Sequence, residues 1–90
     1  MTISLREVAV LEEGRAAKGL QETAAEAIAI AGGSVGRGTP GTPENHAVGL
    51  GMAGPVSPQD FRRAVAFMEE VGAEPRFEVC PFADASMMEL

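Results

Sequence analysis

His46 and Cys80 are the only histidine and the only cysteine in the chain, and each raises one chemical possibility. An imidazole can act as a general base or as a metal ligand. Metal ligands come in clusters of Cys, His, Asp and Glu, and no such cluster surrounds position 46. His46 is therefore read as a structural residue at the start of a strand. A cysteine nucleophile needs a neighbouring base and an oxyanion site. Neither is identifiable near Cys80, which ends a strand before Pro81, so a buried structural thiol is expected. The segment Gly36-Arg-Gly-Thr-Pro-Gly41 fits the dinucleotide pattern G-x-G-x-x-G. That pattern works when a helix starts at the turn and aims its amides at a pyrophosphate. Here Pro40 and Pro43 remove amide donors and a strand follows, so the segment is read as a connection. It fails as a P-loop because no Lys-Ser or Lys-Thr pair follows. The glutamates form no spaced acid/base pair, and Met87-Met88 is read as packing surface. No catalytic, cofactor-binding or metal-ligating residue is assigned.

The elements that would position these residues are legible from periodicity. Ser4-Leu5-Arg6-Glu7 is a capping-box pattern. Leu5, Val8, Ala9, Ala16 and Leu20 share a helical face, with Glu12, Glu13, Arg15 and Lys18 elsewhere. Gly14 costs about 1 kcal/mol relative to Ala inside a helix, so one imperfect helix or two short ones are expected between Leu5 and about Ala25. Ala27–Ala31 alternates as a strand. Gly32-Gly33 is suited to a tight hairpin turn, and Ser34–Arg37 would be a weak returning strand. Residues Gly38–Asn45 read as a loop.

A strand–helix–strand unit follows: Ala47–Met52, Pro58–Val71 and Arg76–Cys80. In the first strand Val48, Leu50 and Met52 alternate with Gly49 and Gly51. Bare glycines there mark close approach by a packed element, or leave room for a small ligand. The helix has Ser57 as N-cap and Pro58 at its first position. Phe61, Ala64, Val65, Met68 and Val71 form its apolar stripe, and Gly72 is placed to close it. Asp84 would cap a last helix from Ala85, and the sequence is expected to stop within that element.

Composition sets outer limits. The net charge of −6 is spread along 90 residues, which disfavours a nucleic-acid partner, because phosphate contacts need clustered Lys and Arg. No run approaches the length of a membrane span, no signal-peptide pattern opens the chain, and a single cysteine allows no internal disulfide; a cytoplasmic setting is expected. With four Phe and neither Trp nor Tyr, the core must be filled by aliphatic residues and many alanines, which bury little area each. Such a core would gain from packing against a partner.

Pro43-Glu-Asn-His-Ala-Val-Gly-Leu-Gly51, Gly54-Pro-Val-Ser-Pro-Gln-Asp60 and Glu78-Val-Cys-Pro-Phe-Ala-Asp84 resemble a group of bacterial GNAT-type N-acetyltransferases in which a variable leading half precedes a more typical catalytic half. The resemblance covers roughly Ala27 to Leu90. It implies a single incomplete GNAT-like α/β (α+β) domain over residues 1–90. Residues 1–25 would be helical, and 26–90 a mixed sheet with covering helices: hairpin, crossover and the start of a last helix. It also implies acyl transfer from acetyl-CoA to an amine in the full-length family protein. The family cradles the acetyl-CoA pyrophosphate on backbone amides at a helix N-terminus, commonly through a Gln/Arg-x-x-Gly-x-Gly/Ala loop. The corresponding stretch here is Met52-Ala-Gly-Pro-Val-Ser-Pro58, where Pro55 and Pro58 lack an N–H and the motif is missing. The expectation is a non-catalytic leading segment that binds no cofactor itself and has a C-terminal acetyltransferase half as partner. The alternative is a free-standing module that pairs with a second copy of itself.

Overall fold

Ser4 starts the first helix, α1 (Leu5–Thr23), in the computed structural model, which describes residues 3–89. Its Oγ accepts the Glu7 N–H at 3.1 Å and donates to the Glu7 carboxylate at 3.3 Å. Gly14 does not break the run, so one helix stands where two short ones were also possible. The chain continues through β1 (Glu26–Ile30), β2 (Gly33–Arg37), β3 (His46–Val48), α2 (Pro58–Glu69), β4 (Phe77–Glu78) and α3 (Ser86–Glu89). The strands lie in the order β1-β2-β3-β4. β2 runs antiparallel to both β1 and β3, and β4 runs parallel to β3. Among the described residues this is a mixed α/β domain of three helices and one four-stranded sheet. The strand–helix–strand unit is present, with both strands shorter than their periodicity predicts.

The two faces of the sheet are covered differently. Ile28, Ile30, Val35 and Ala47 point toward α2, where Val56, Ala64, Met68 and Met87 close the main core. Phe77 stacks on Phe61 with ring centroids 4.8 Å apart. On the other face Val48 meets Ala17 and Leu20 of α1. That face is lined by small residues, and a Cβ on Gly36 would lie 2.8 Å from Leu20 Cδ1. The helix can therefore come close, and this proximity selects its inward residues. Ala17 and Leu20 are buried, whereas Leu5 and Val8, expected on the inner face, are 79% and 40% exposed. Ala16 is exposed as well. The first half of α1 projects past the sheet, and the molecule measures 45 × 27 × 17 Å.

Three local expectations are corrected. The hairpin turns at Ala31-Gly32, both at positive φ (50° and 80°), and not at Gly32-Gly33. Gly33 instead pairs with Ile30, the register that keeps Ile28 and Val35 together in the core. β2, expected to be weak, is an inner strand paired on both sides, and Gly33–Gly36 is buried throughout. Finally, β3 ends at Val48 because Gly49 and Gly51 take φ of +82° and +83°. That turn sends Leu50 to the α2 side of the sheet, opposite to Val48. The glycines supply a backbone conformation open to few other residues. Their bareness is not that of a strand face.

Helix α2 follows its sequence signals closely. Ser57 Oγ accepts the Asp60 N–H at 3.1 Å. At the far end Gly72 has φ +79°, with Gly72 N–H to Glu69 O at 2.9 Å and Ala73 N–H to Met68 O at 3.2 Å. This is the paired closure that a left-handed glycine permits. Asp84 Oδ1 accepts the Ser86 N–H at 2.9 Å and opens α3; Leu90, expected in that helix, lies outside the described residues.

Arg37 ties the hairpin to α2. Its Nε and Nη2 donate to the two oxygens of Glu26 at 3.2 and 3.1 Å. Its Nη1 donates to Glu70 Oε2 at 2.8 Å and to the Phe67 carbonyl at 3.0 Å. The guanidinium also lies 4.1 Å from the centre of the Phe67 ring. Hydrogen bonding from Arg37, and then its charge, hold the Glu26 carboxyl below its ordinary range. The Asp84 carboxyl is lowered by its hydrogen bonds with Ser86, the backbone one first. A carboxyl whose folded pKa is depressed adds stability above its unfolded pKa, and loses it as pH falls through the folded value. Urea midpoints should therefore fall on acidification below the ordinary carboxyl range. Glu26→Gln should flatten that dependence, and an unchanged slope would show the pair to be energetically silent.

Candidate functional site

Each residue singled out for chemistry has a definite place. His46 begins β3, and its Nδ1 lies 2.8 Å from the Pro43 carbonyl oxygen. A carbonyl only accepts, so Nδ1 is the donor, and in the neutral ring Nε2 is then the acceptor. In parallel register Val48 pairs with Glu78 and Ala47 with Phe77, which sets Arg76 and Glu78 on the same face as His46. These three residues, with Pro43 and Phe77, line an open cleft of about 480 Å³. It offers an acceptor, a cation and an anion, but no nucleophile.

Cys80 is half-buried, less enclosed than expected, and its carbonyl accepts the Ala83 N–H at 2.9 Å in a turn. Gly49 and Gly51 are buried, with close neighbours at their Cβ positions. A Cβ on Gly49 would lie 3.3 Å from Gly33 Cα and 3.5 Å from Ala17 Cβ, and one on Gly51 2.8 Å from Met87 Cγ. Positive φ and close packing together favour glycine at both. The glycine-rich connection after β2 spends its polar groups internally. Asn45, buried to 4% exposure, accepts the Gly38 N–H at 2.8 Å and donates to the carbonyls of Thr39 (2.7 Å) and Thr42 (3.3 Å). Glu44 accepts the Ala25 N–H at 3.0 Å and the Thr42 hydroxyl at 3.1 Å. Gly38 has no side chain where the Glu44 carboxylate lies.

At and just before the N-terminus of α2, where a cofactor pyrophosphate would be sought by resemblance, two amides are engaged and one position has none. Val56 N–H is bound by Ser86 Oγ at 2.9 Å, Asp60 N–H by Ser57 Oγ, and Pro58 has none. The Asp60 carboxylate stands in the same turn and opposes an incoming anion.

Between α1 and the turns after β1 and β3 lies a second cleft, of about 210 Å³, that periodicity does not foreshadow. It is lined by Val10, Glu13, Gly14, Gly32, Gly49, Met52 and Ala53. Glu13 Oε2 is buried there without a hydrogen-bond partner among the described residues. Helical periodicity places Glu13 on the charged side of α1, and only the close seating of α1 on the glycine face encloses it.

Among the described residues no group of three or more His, Cys, Asp or Glu could hold a metal ion, and no helix is long and apolar enough to cross a membrane. Compared with family models, curated proteins and solved structures, the chain matches none of them.

Proposed function

We propose that the chain is the leading, substrate-side segment of a GNAT-type N-acetyltransferase, and that acetyl-CoA is held by a C-terminal half of the same protein. The observation that supports it most is the β3–α2–β4 crossover. It follows an antiparallel hairpin in the family's order and carries the three stretches of resemblance at β3, before α2 and after β4. The N-terminus of α2 fits a scaffold copy of the cofactor-binding element, because Pro58 offers no amide there and the Val56 and Asp60 amides are bound from within the chain. The role of this segment is then to pack against the catalytic half and shape one wall of the acceptor cleft, in the cytoplasm. Isothermal titration of the 90-residue chain with acetyl-CoA should give no heat. The product of the frame extended past Leu90 should release CoA in the presence of amines. Tight acetyl-CoA binding by the short chain, or an extension without acetyltransferase activity, would remove the reading.

A second reading is favoured by one observation. Ile3, Leu5, Val8, Val10 and Leu11 are all 40% or more exposed on or beside the projecting half of α1, an apolar surface of the kind that marks an interface. On this reading the chain is a free-standing homodimerising module without enzymatic activity. Light scattering after size exclusion separates the two. A well-folded homodimer supports the module, and an aggregating or loosely folded monomer supports the segment.

A further inference from the structure

The Glu13 cleft combines two features that packing does not explain. The first is the orphaned carboxylate oxygen. A buried acceptor without a partner costs free energy that a native fold normally avoids, and an ionised one demands a cation or several donors. The second is Gly14, which occupies a mid-helix position at a cost in helix propensity. A Cβ at Gly14 would meet nothing within 4 Å, so no neighbour requires the glycine. Its missing side chain leaves the cleft open beside Glu13. The other walls are the backbone of Gly32 and Gly49 and the apolar Val10, Met52 and Ala53, with no cationic side chain among them.

We propose that this cleft binds a small primary alkylamine in its ammonium form. The N⁺–H group would donate to Glu13 Oε2, and the alkyl chain would lie against Val10, Met52 and Ala53. One anion in an otherwise apolar, glycine-floored space selects a cation with an apolar body over an anion, a zwitterion or a bare inorganic ion. The assignment stands apart from the acetyltransferase reading, because it rests on the charge and shape of this cleft alone.

The test is an amide-resolved NMR titration of the 90-residue chain with n-butylammonium, with n-butanol, potassium and butyrate as controls. Butylammonium should give saturable shifts, in the millimolar range, at Glu13, Gly32, Gly49 and Ala53, and the controls should not. Glu13→Gln should weaken binding by roughly tenfold, the loss of one charge-assisted hydrogen bond. Gly14→Leu should abolish it while leaving the chain folded, because leucine fills open space and favours the helix. Saturation by butanol or potassium at the same amides, or unchanged binding by Glu13→Gln or by a folded Gly14→Leu, would overturn the proposal.

Discussion

Gly33→Ala should remove most of the chain's stability in water at room temperature. The added Cβ would overlap the Val48 carbonyl oxygen and lie 2.6 Å from both Gly49 C and Leu50 N. All three are backbone atoms, held by the β2–β3 pairing of Ser34 with Val48, and no side-chain rotation relieves the clash. Overpacking a well-filled site costs about 1–3 kcal/mol; a clash against fixed backbone belongs at or above the top of that range. A small domain is stable by only about 5–15 kcal/mol, and a core this poor in aromatics belongs toward the low end. Gly41→Ala is the matched control. There φ is +85° but nothing lies within 4 Å, so only the left-handed strain of about 1–2 kcal/mol is incurred. Urea unfolding followed by circular dichroism reads both. If Gly33→Ala unfolds within about 0.5 kcal/mol of the parent, a range typical of neutral surface changes, the tight seating of β2 on the β3 turn is wrong.

Asn45→Asp should be nearly as damaging, although the two side chains have almost the same shape. The Asn45 amide nitrogen donates to the Thr39 and Thr42 carbonyls while its oxygen accepts from Gly38. An aspartate keeps the acceptor and loses both donors, which places a carboxylate oxygen against two carbonyls at a buried site. Leaving such groups unpaired costs about 1–3 kcal/mol, more when one is charged. The loss should shrink on acidification, because the introduced carboxyl, once protonated, again offers one donor. Denaturation midpoints at neutral and acidic pH test this directly, and equal destabilisation at both would mean that charge is not the cause.

The sequence disclosed some of this architecture with precision and was silent on the rest. Helix α2 could be read from Ser57 to Gly72 because its start, stripe and stop are set by local chemistry. The same holds for the cap at Ser4 and for Asp84. The inner face of α1 was misread because Leu5 and Val8 share a helical face with Leu20 in sequence, while the sheet reaches only the later turns. The strand expected through Met52 failed for a related reason. Alternation at Val48, Leu50 and Met52 looks like a strand until Gly49 and Gly51 adopt positive φ, and glycine permits that conformation without announcing it. The glycines after Val48 raised the thought of a small ligand, but the Glu13 side of that cleft was out of reach, since its enclosure depends on turns distant in the chain meeting one helix. Asn45 was also missed, but Asn inside a Gly/Pro/Thr-rich connection is a known loop-builder and could have raised the question.

The brevity of β4 has a consequence for how the molecule opens. The hairpin and β3 hold one another through strand pairings near in sequence, whereas Phe77 and Glu78 rejoin the sheet only after the whole α2 excursion. Contacts that close a long stretch of chain form late and open early. Detachment of this edge is thus the natural sub-global opening, with the α1–β1–β2–β3 body left intact. His46 stays with that body, and Arg76 and Glu78 leave with the edge. By reciprocity of linkage, whatever grips both sides of that seam also decides how long it stays shut.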